Sequence, residues 1–269
     1  MLVDPERFAP IFDRLHGKRV GFYPLSGNVG DSLIELATIQ LLGRFGIAWR
    51  YIRCVVRDGG CATSDGNHLS SPRVTCIDPD DLDQVDEILV NGGGNMGMRY
   101  PVCHQQRRVL RKATLRPITI LPQSFCDDKE NATYDRVFVR EETSLRFYPR
   151  AIVAPDMAMG YQWPTPPPPP VHDLAIAMRL DGEAIQVPIS DSFDPIQGLS
   201  TAEQYLCRAA SYREVITDRL HFAISALLAG RDVTLVANNY HKNEAVWRLW
   251  LKPLGCKFST REEIAKRFA

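Results

Sequence analysis

The residues best suited to chemistry gather in the segment Thr217–His221. This segment, TDRLH, follows the apolar run EVIT and precedes an Ala/Leu-rich helical pattern that ends at Gly230. Asp218 is expected to cap that helix, and Arg219 offers a planar guanidinium suited to phosphate or carboxylate. His221 can hold or move a proton near neutral pH. The pattern predicts an anion site at a helix N-terminus with an acid–base residue beside it.

A structural interpretation of the same residues is equally consistent with their spacing. In that interpretation Asp218 only caps the helix, Arg219 pairs with a nearby acid, and His221 is a satisfied first-turn histidine. Residues two positions apart also point to different sides of a helix. Arg219 and His221 would therefore converge only if both lean forward off the helix tip.

Two other strand-like runs in the second half of the chain also end in polar residues. DLAIAM is followed by Arg179. VTLVA is followed by Asn238, Tyr240 and Lys242. Ligands in open parallel sheets bind at the carboxyl ends of the strands, so cations from three strand ends are expected at one edge. Each cation alone is typical of a solvated surface, whereas the three together predict an anion site.

Glycine and polar residues follow strand-like runs in the first half of the chain as well. The glycines of GNVGD and NGGGN leave bare backbone N–H groups that could cradle an oxyanion or a sugar. Asp31 is expected to open the helix after GNVGD. Ordinary turn chemistry explains each segment alone, but the set favours a ligand site. The candidates in GNVGD, NGGGN, LPQS and VRE are Asn28, Gly30, Asp31, Gly92, Gly93, Gly94, Asn95, Gln123, Ser124, Arg140 and Glu141.

Composition and missing motifs exclude several classes of function. Lys and Arg number 32, as do Asp and Glu, so nothing global favours nucleic acid and any anion site must be local. The seven cysteines include no C-x-x-C pair, which is typical of reduced thiols in a cytoplasmic protein and not of a zinc site. The sequence contains no H-E-x-x-H and no G-x-S-x-G motif. We therefore predict no metal site.

Features that bear on membranes are few. No run is apolar enough to span a bilayer, and Met1–Pro10 is not typical of a signal peptide. The basic segment Arg107–Lys112, RRVLRK, is typical of a solvated helix face. It could still meet acidic lipid or the phosphates of an anionic carrier.

The elements that must position these residues alternate in both halves of the chain. Short Val- and Ile-rich runs separated by helical patterns predict parallel α/β sheets. The proline run in YQWPTPPPPPVHD indicates an extended spacer. We predict an N-terminal α/β domain over 1–162, a proline-rich linker over 163–172 and a C-terminal α/β domain over 173–269. The expected fold is two parallel-sheet, Rossmann-like halves facing a cleft.

Taken together, the motifs resemble those of the polysaccharide pyruvyl transferase family. GNVGD, NGGGN, LPQS, VRE-x-x-S, a strand-end PD, TDRLH with ALLAG, and NNYHK occur in the family's order over nearly the whole chain. The resemblance implies a fold similar to GT-B glycosyltransferases. It also implies transfer of pyruvate from phosphoenolpyruvate onto two hydroxyls of a sugar, which leaves a cyclic ketal. Family members decorate exopolysaccharides and other cell-surface glycans.

The resemblance implies roles for the second-half candidates. The family's Arg and His carry over to Arg219 and His221, with His221 as general acid or as a phosphate ligand. Phosphoenolpyruvate is small and densely anionic, so its site needs several fixed cations. Arg179, Arg219 and Lys242 could supply them. Asp218, Asn238 and Tyr240 complete the expected donor side, and no cofactor or metal ion is needed.

The resemblance also implies an acceptor and a location. The first-half turn residues would hold a saccharide or a lipid-linked oligosaccharide, with Asp31 or Glu141 as a base. A lipid-linked acceptor would bring a cytoplasmic enzyme to the inner face of the membrane without an anchor of its own.

Two other functions stay open at the level of sequence. A glycosyltransferase that uses a nucleotide sugar would need an acidic residue for the ribose, and Glu244 after NNYHK is the candidate. A family member that binds glycan or a partner protein without turnover would be expected to lose its cations. Arg179, Arg219, His221 and Lys242 are all present, which counts against that loss.

Overall fold

The computed structural model describes residues 1–55, 76–130, 133–184, 189 and 191–268. The chain divides into two compact units. The N-terminal unit consists of Pro5–Asn28 and Thr38–Met157, and the C-terminal unit consists of Met1–Asp4, Val29–Ala37 and Ala158–Ala269. The division therefore falls ahead of the proline-rich segment, and part of an early helix belongs to the C-terminal unit.

The N-terminal unit is built on a parallel sheet of seven strands within the described residues. The sheet order is β2-β1-β5-β7-β8-β9, with β6 paired to β7, while β3 and β4 form a separate antiparallel pair. The strands are β1 (Val20–Tyr23), β2 (Trp49–Tyr51), β3 (Cys54–Val55), β4 (Cys76–Ile77), β5 (Glu87–Val90), β6 (Gly93–Met96), β7 (Ile118–Phe125), β8 (Arg136–Val139) and β9 (Ile152–Val153).

The helices from the first part of the chain are of very different lengths. They are α1 (Ala9–Phe12), α2 (Val29–Arg44), α3 (Pro79–Asp83) and α4 (Pro101–Ala113). Short 3-10 turns lie at Pro5–Phe8, Asp13–Leu15, Glu142–Arg146 and Met157–Gly160.

The central strands of this sheet are buried throughout, which explains their continuous apolar sequences. Every residue of β1, β5 and β7 is buried. Parallel strands covered on both faces are expected to lack polar alternation. Glu87 at the start of β5 is the charged exception, and its carboxylate binds Arg14 at 2.7 Å and Lys18 at 2.8 Å.

The glycine segment NGGGN is partly a strand and not an open loop. β5 pairs with β7 as far as Val90 opposite Ile120, and β6 then rejoins β7 with Gly93 opposite Gln123. Gly93 has a φ of 138°, a backbone angle that residues other than glycine rarely adopt. Gly93 and Met96 thus pair with β7, and a role for residues 92–95 as a cradle for an oxyanion or a sugar stays a prediction.

The C-terminal unit carries a second parallel sheet, of four strands within the part that the structure describes. Its strands, in sheet order, are β10 (His172–Ala177), β11 (Tyr212–Thr217), β12 (Asp232–Val236) and β13 (Lys257–Ser259). Its helices are α5 (Ala202–Ala210), α6 (Leu220–Leu228), α7 (Lys242–Val246) and α8 (Arg261–Arg267). The predicted fold class, parallel α/β sheets in both halves, is confirmed.

Turn chemistry sets the ends of several of these helices. α5 and α8 begin with capping boxes, at Thr201 with Gln204 and at Thr260 with Glu263. After α7 the chain continues as a π turn over Trp247–Leu251 and a 3-10 turn that ends at Gly255. The helical stretch after β12 therefore changes its hydrogen bonding twice. In the described part of the chain, no helix combines the length and apolarity needed to cross a membrane.

Candidate functional site

Three strand ends of the C-terminal unit meet at one edge of its sheet. Arg179 follows β10, Arg219 follows β11 and Lys242 follows β12. The loops after β10 and β12 are joined directly, because Asn239 Nδ2 donates to the Gly182 carbonyl at 2.7 Å. The predicted convergence of three cations is confirmed. We call the following residues the strand-end cluster: Arg179, Asp181, Glu183, Asp194, Asp218, Arg219, Asn238 and Lys242.

One half of the strand-end cluster centres on Glu183. Arg179 and Lys242 both bind the Glu183 carboxylate, and Asn238 Nδ2 donates to it at 3.2 Å. Arg179 also binds Asp181 through two hydrogen bonds of 2.7 and 3.0 Å. Neighbouring carboxylates raise the pKa of Arg179 against the opposing effect of burial, so this guanidinium keeps its charge.

The other half centres on Arg219, which is 5% exposed. Its guanidinium forms a two-pronged pair with Asp194, with both distances at 2.5 Å, and it reaches Asp181 at 3.1 Å. Asp194 also accepts the backbone N–H of Leu180 at 3.0 Å. Sequence analysis named the cations but missed Glu183 and Asp194 as their partners.

Asp218 does not cap α6. The capping position belongs to Arg219, which has extended backbone angles and no side-chain cap. Asp218 Oδ1 instead accepts the Arg179 backbone N–H at 2.8 Å, from the end of the neighbouring strand. The hydroxyl of Thr217 accepts the Arg219 N–H at 3.0 Å. The cap prediction is wrong because the Asp218 carboxylate satisfies the backbone after β10.

The Asp218 carboxyl is a group that can hold a proton near neutral pH. Burial raises its pKa to about 7, although the Arg179 N–H and the charges of Arg179 and Arg219 act in the other direction. The side chain is 1% exposed. Among the described residues, its Oδ2 has no hydrogen-bond partner. Carboxyls in this state are typical of functional sites.

Arg219 lies just before α6, whereas His221 lies within its first turn. Arg219 precedes the first helical residue, so helix spacing does not direct its side chain. His221 is the second residue of α6 and is half-buried, and its carbonyl accepts the Ser225 hydroxyl at 2.7 Å. His221 therefore follows the buried Arg219 by two residues. The catalytic roles of both residues stay predictions.

The segment after β12 completes the cluster and borders a pocket. Lys242 Nζ lies 5.1 Å from the centre of the half-buried Tyr240 ring. A pocket of about 400 Å³ opens beside Asn238. Its lining residues are Ala184, Ala237, Asn238, Asn239, Thr260, Arg261 and Glu262. Of these residues only Asn238 was a candidate from the sequence. Thr260, Arg261 and Glu262 were not foreseen, although the capping pattern T-R-E-E at residue 260 marks the start of a helix there.

The part of the GNVGD motif from Val29 onward belongs to the C-terminal unit. α2 begins at Val29, so Asp31 lies in its first turn and does not open the helix as predicted. Burial raises the pKa of Tyr205, and the charges of Arg219, Asp194 and Asp31 also act on that hydroxyl. Asp31 is therefore within electrostatic range of the same tyrosine as the Arg219 pair. Before it, Asn28 is exposed and Gly30 is buried.

The strand-end candidates of the N-terminal unit bond mainly to one another. Gln123 Nε2 donates to the Asn91 carbonyl at 2.8 Å, and Gln123 Oε1 accepts the Asn95 N–H at 3.3 Å. Arg140 binds Ser124 at 2.8 Å and the Asp156 carboxylate at 2.5 Å. A role for these residues in acceptor binding stays a prediction, as it does for Gly92, Gly93 and Gly94.

Glu141 and Arg107 have structural partners that sequence analysis did not foresee. The Glu141 carboxylate caps the 3-10 turn by accepting the Ser144 N–H at 3.0 Å. Arg107 is completely buried and binds Glu130 at 2.7 Å and Asn95 Oδ1 at 2.7 Å. The interpretation of RRVLRK as a solvated face is therefore wrong at Arg107, although Arg108 beside it is exposed.

No group of three or more His, Cys, Asp or Glu side chains in the described ranges could hold a metal ion. The carboxylates of Asp181, Glu183 and Asp194 are instead paired with arginine and lysine. These contacts do not test whether the reaction needs a metal ion, so that expectation stays a prediction.

Comparison with known proteins agrees with the fold and the motifs. A solved structure of an uncharacterised protein from Klebsiella pneumoniae subsp. pneumoniae NTUH-K2044 has a TM-score of 0.69 and 22% identity, over 97% of this chain and 100% of that chain. At this identity the likeness supports the fold alone. No curated protein matches the chain. The model of the polysaccharide pyruvyl transferase family matches residues 28–240, from the GNVGD turn to the segment after β12. The chain belongs to the polysaccharide pyruvyl transferase family.

Proposed function

We propose that the protein transfers a pyruvyl group from phosphoenolpyruvate onto two hydroxyls of a saccharide. The family assignment supports pyruvyl transfer. The observation that carries the proposal for the donor is the convergence of Arg179, Arg219 and Lys242 at one sheet edge, with His221 two residues after Arg219 in the chain. Strand carboxyl ends are where ligands bind in such sheets.

The chemistry requires fixed positive charge and a group that moves protons. Phosphoenolpyruvate carries a phosphate and a carboxylate, and charge-assisted hydrogen bonds from arginine suit both. C3 of the enol must gain a proton before C2 accepts a sugar oxygen. The second hydroxyl then displaces inorganic phosphate from C2, which closes the ketal, and each hydroxyl loses one proton on the way. A positioned histidine can both give and take such protons.

We assign His221 as the general acid that protonates C3. His221 is half-buried at the start of α6 and lies two residues after Arg219 of the strand-end cluster in the chain. Asp218 is a second proton carrier in the same cluster, since its raised pKa keeps a proton within reach near neutral pH. Asp31 is our candidate base for a sugar hydroxyl, because Glu141 already caps a 3-10 turn.

The acceptor belongs to exopolysaccharide or cell-surface glycan synthesis, as the family implies. A lipid-linked oligosaccharide would be met at the inner face of the membrane by a cytoplasmic enzyme. The structure gives the nucleotide-sugar alternative little support. Glu244, its candidate ribose ligand, is an exposed helix residue that pairs with Arg248 at 2.6 Å.

Calorimetric titration of the purified protein tests this proposal. Phosphoenolpyruvate is expected to bind, whereas UDP and GDP sugars are not. Arg219→Ala should abolish that binding. Arg213→Ala is the matched control, because Arg213 is an exposed arginine of β11 that pairs with exposed Asp173. Binding of a nucleotide sugar without binding of phosphoenolpyruvate would overturn pyruvyl transfer in favour of glycosyl transfer.

A further inference from the structure

A single carboxylate oxygen in the strand-end cluster receives three donors. Arg179, Lys242 and Asn238 all contact Oε2 of Glu183. Glu183 is 2% exposed. Two cations and an amide around one oxygen are the partners that a protein arranges for a bound phosphate or carboxylate. The chain itself supplies the anion at this position.

The Glu183 carboxylate is carried on a short turn in the loop that follows β10. Asp181 holds that turn in place, because its Oδ1 accepts the Glu183 N–H at 3.0 Å while the same carboxylate binds Arg179. The next residue, Ala184, lines the pocket of about 400 Å³, as does Asn238. Glu183 therefore contacts one residue that lines this pocket, Asn238, and is adjacent in the chain to another, Ala184.

The charges show that Glu183 and a substrate anion cannot share this position. Glu183 and Asp181 together neutralise Arg179 and Lys242. Within the described residues of this cluster, a further buried anion would find these two cations already compensated, and an uncompensated buried charge is strongly unfavourable. The subsite can accept an external oxyanion only when the Glu183 carboxylate leaves it.

We propose that Glu183 occupies an oxyanion subsite formed by Arg179, Lys242 and Asn238, and that an anionic oxygen of the substrate replaces it there. Glu183 is thus an internal competitor for the donor, and donor affinity includes the free energy needed to displace it. The identity of the donor rests on the proposed function. The subsite itself is specific for a small oxyanion, either a phosphate or a carboxylate.

Removal of the competitor should strengthen anion binding. Glu183→Ala vacates the subsite and is expected to raise the affinity for phosphoenolpyruvate at least tenfold over wild type. Glu183→Gln keeps an oxygen acceptor and the side-chain volume but removes the charge, so it should give a smaller gain. Glu214→Gln is the matched control, since Glu214 is a partly exposed acid of the same unit that pairs with Arg267, and it should change nothing.

Titration calorimetry with inorganic phosphate, pyruvate and phosphoenolpyruvate measures these affinities, and thermal melting confirms that each variant is folded. A gain for phosphate alone assigns the subsite to the phosphate group, and a gain for pyruvate alone assigns it to the carboxylate. Equal or weaker binding in both folded Glu183 variants would overturn the subsite. The Gln variant keeps the test decisive if the Ala variant fails to fold.

The outcomes also separate this inference from the proposed function. Wild-type binding of phosphoenolpyruvate with no gain in either variant removes the subsite and leaves pyruvyl transfer intact. A gain for phosphate with no binding of phosphoenolpyruvate to any form keeps the subsite and removes the proposed donor. No binding of any anion to any folded form overturns both.

Discussion

In the N-terminal unit, Arg107 and Arg140 are buried and each binds one carboxylate, Glu130 or Asp156. Arg107 also donates to Asn95 Oδ1, and Arg140 also donates to the Ser124 hydroxyl, both within the same unit. The strand-end cluster of the C-terminal unit also consists of buried arginines and carboxylates. The two regions are therefore alike in residue type, in burial and in their place near strand ends.

They differ in what surrounds the ion pairs. The strand-end cluster gathers three cations, adjoins a pocket and contains Asp218, a buried carboxyl with a pKa raised to about 7. The N-terminal pairs are each supplemented by a hydrogen bond to a neutral side chain, Asn95 or Ser124. Buried ion pairs alone thus indicate structure, and a perturbed carboxyl beside a pocket points to function.

The largest effect is expected from breaking the N-terminal pair. Arg107→Met leaves the buried Glu130 carboxylate without its guanidinium, which should cost about 3–5 kcal/mol in the free energy of unfolding. Urea denaturation measures this loss, with exposed Arg108→Met as the control. The folded variant should still bind phosphoenolpyruvate with wild-type affinity. Weaker binding would mean that the N-terminal pair is part of the donor site.

A pH-dependent effect is expected from Asp218. Its pKa rises from the ordinary value of 3.8 to about 7 on folding, so the native state binds a proton that the unfolded state releases. Stability from this group is therefore present below pH 4 and is lost as pH rises through 7.

Asp218→Asn should remove that pH dependence. Between pH 5 and pH 8 the wild type should lose about 2–3 kcal/mol of unfolding free energy relative to the variant. Urea denaturation across this range gives both curves. Parallel curves would show that Asp218 is ionised in the native state at neutral pH and is not a proton carrier.

A smaller effect is expected from Arg219→Lys. Lysine keeps the charge but loses the planar fork that grips Asp194 and would grip the donor. Affinity for phosphoenolpyruvate should fall ten- to a hundredfold, or about 1.4–2.8 kcal/mol. Calorimetry at pH 7 measures it against Arg213→Lys, and an unchanged affinity would remove Arg219 from the donor site.

The smallest effect is expected from Glu244→Gln, which separates pyruvyl transfer from the nucleotide-sugar alternative. Its exposed pair with Arg248 should contribute no more than about 0.5 kcal/mol to stability. Donor binding should not change. A large loss of ligand affinity in this variant would instead support a ribose-binding role.

Sequence alone predicted most of the fold because the central strands are continuous apolar runs. β5, β7, β11 and β12 are recognisable from Val, Ile and Leu. β13 was missed because its three residues, KFS, show no pattern that separates a strand from a loop. Strand β6 was not predicted in the glycine segment because its pairing depends on β7, which is distant in sequence.

The candidate site was predicted in its cations and not in its anions. Arg179, Arg219 and Lys242 follow strands, so the position of each strand end located them. Asp194 was not identified as a partner of Arg219 because it lies in irregular chain between β10 and α5, where no strand or helix pattern predicts its position. The same limit explains Arg107, whose burial depends on Glu130, a partner outside its own helix.

A crystal structure of the protein with phosphoenolpyruvate tests the central claim most directly. The account predicts that the ligand lies at the strand-end cluster, in contact with Arg219 and His221, with the Glu183 carboxylate displaced from Arg179 and Lys242. Phosphoenolpyruvate bound beside Arg140 in the N-terminal unit, with the strand-end cluster unchanged, would contradict it.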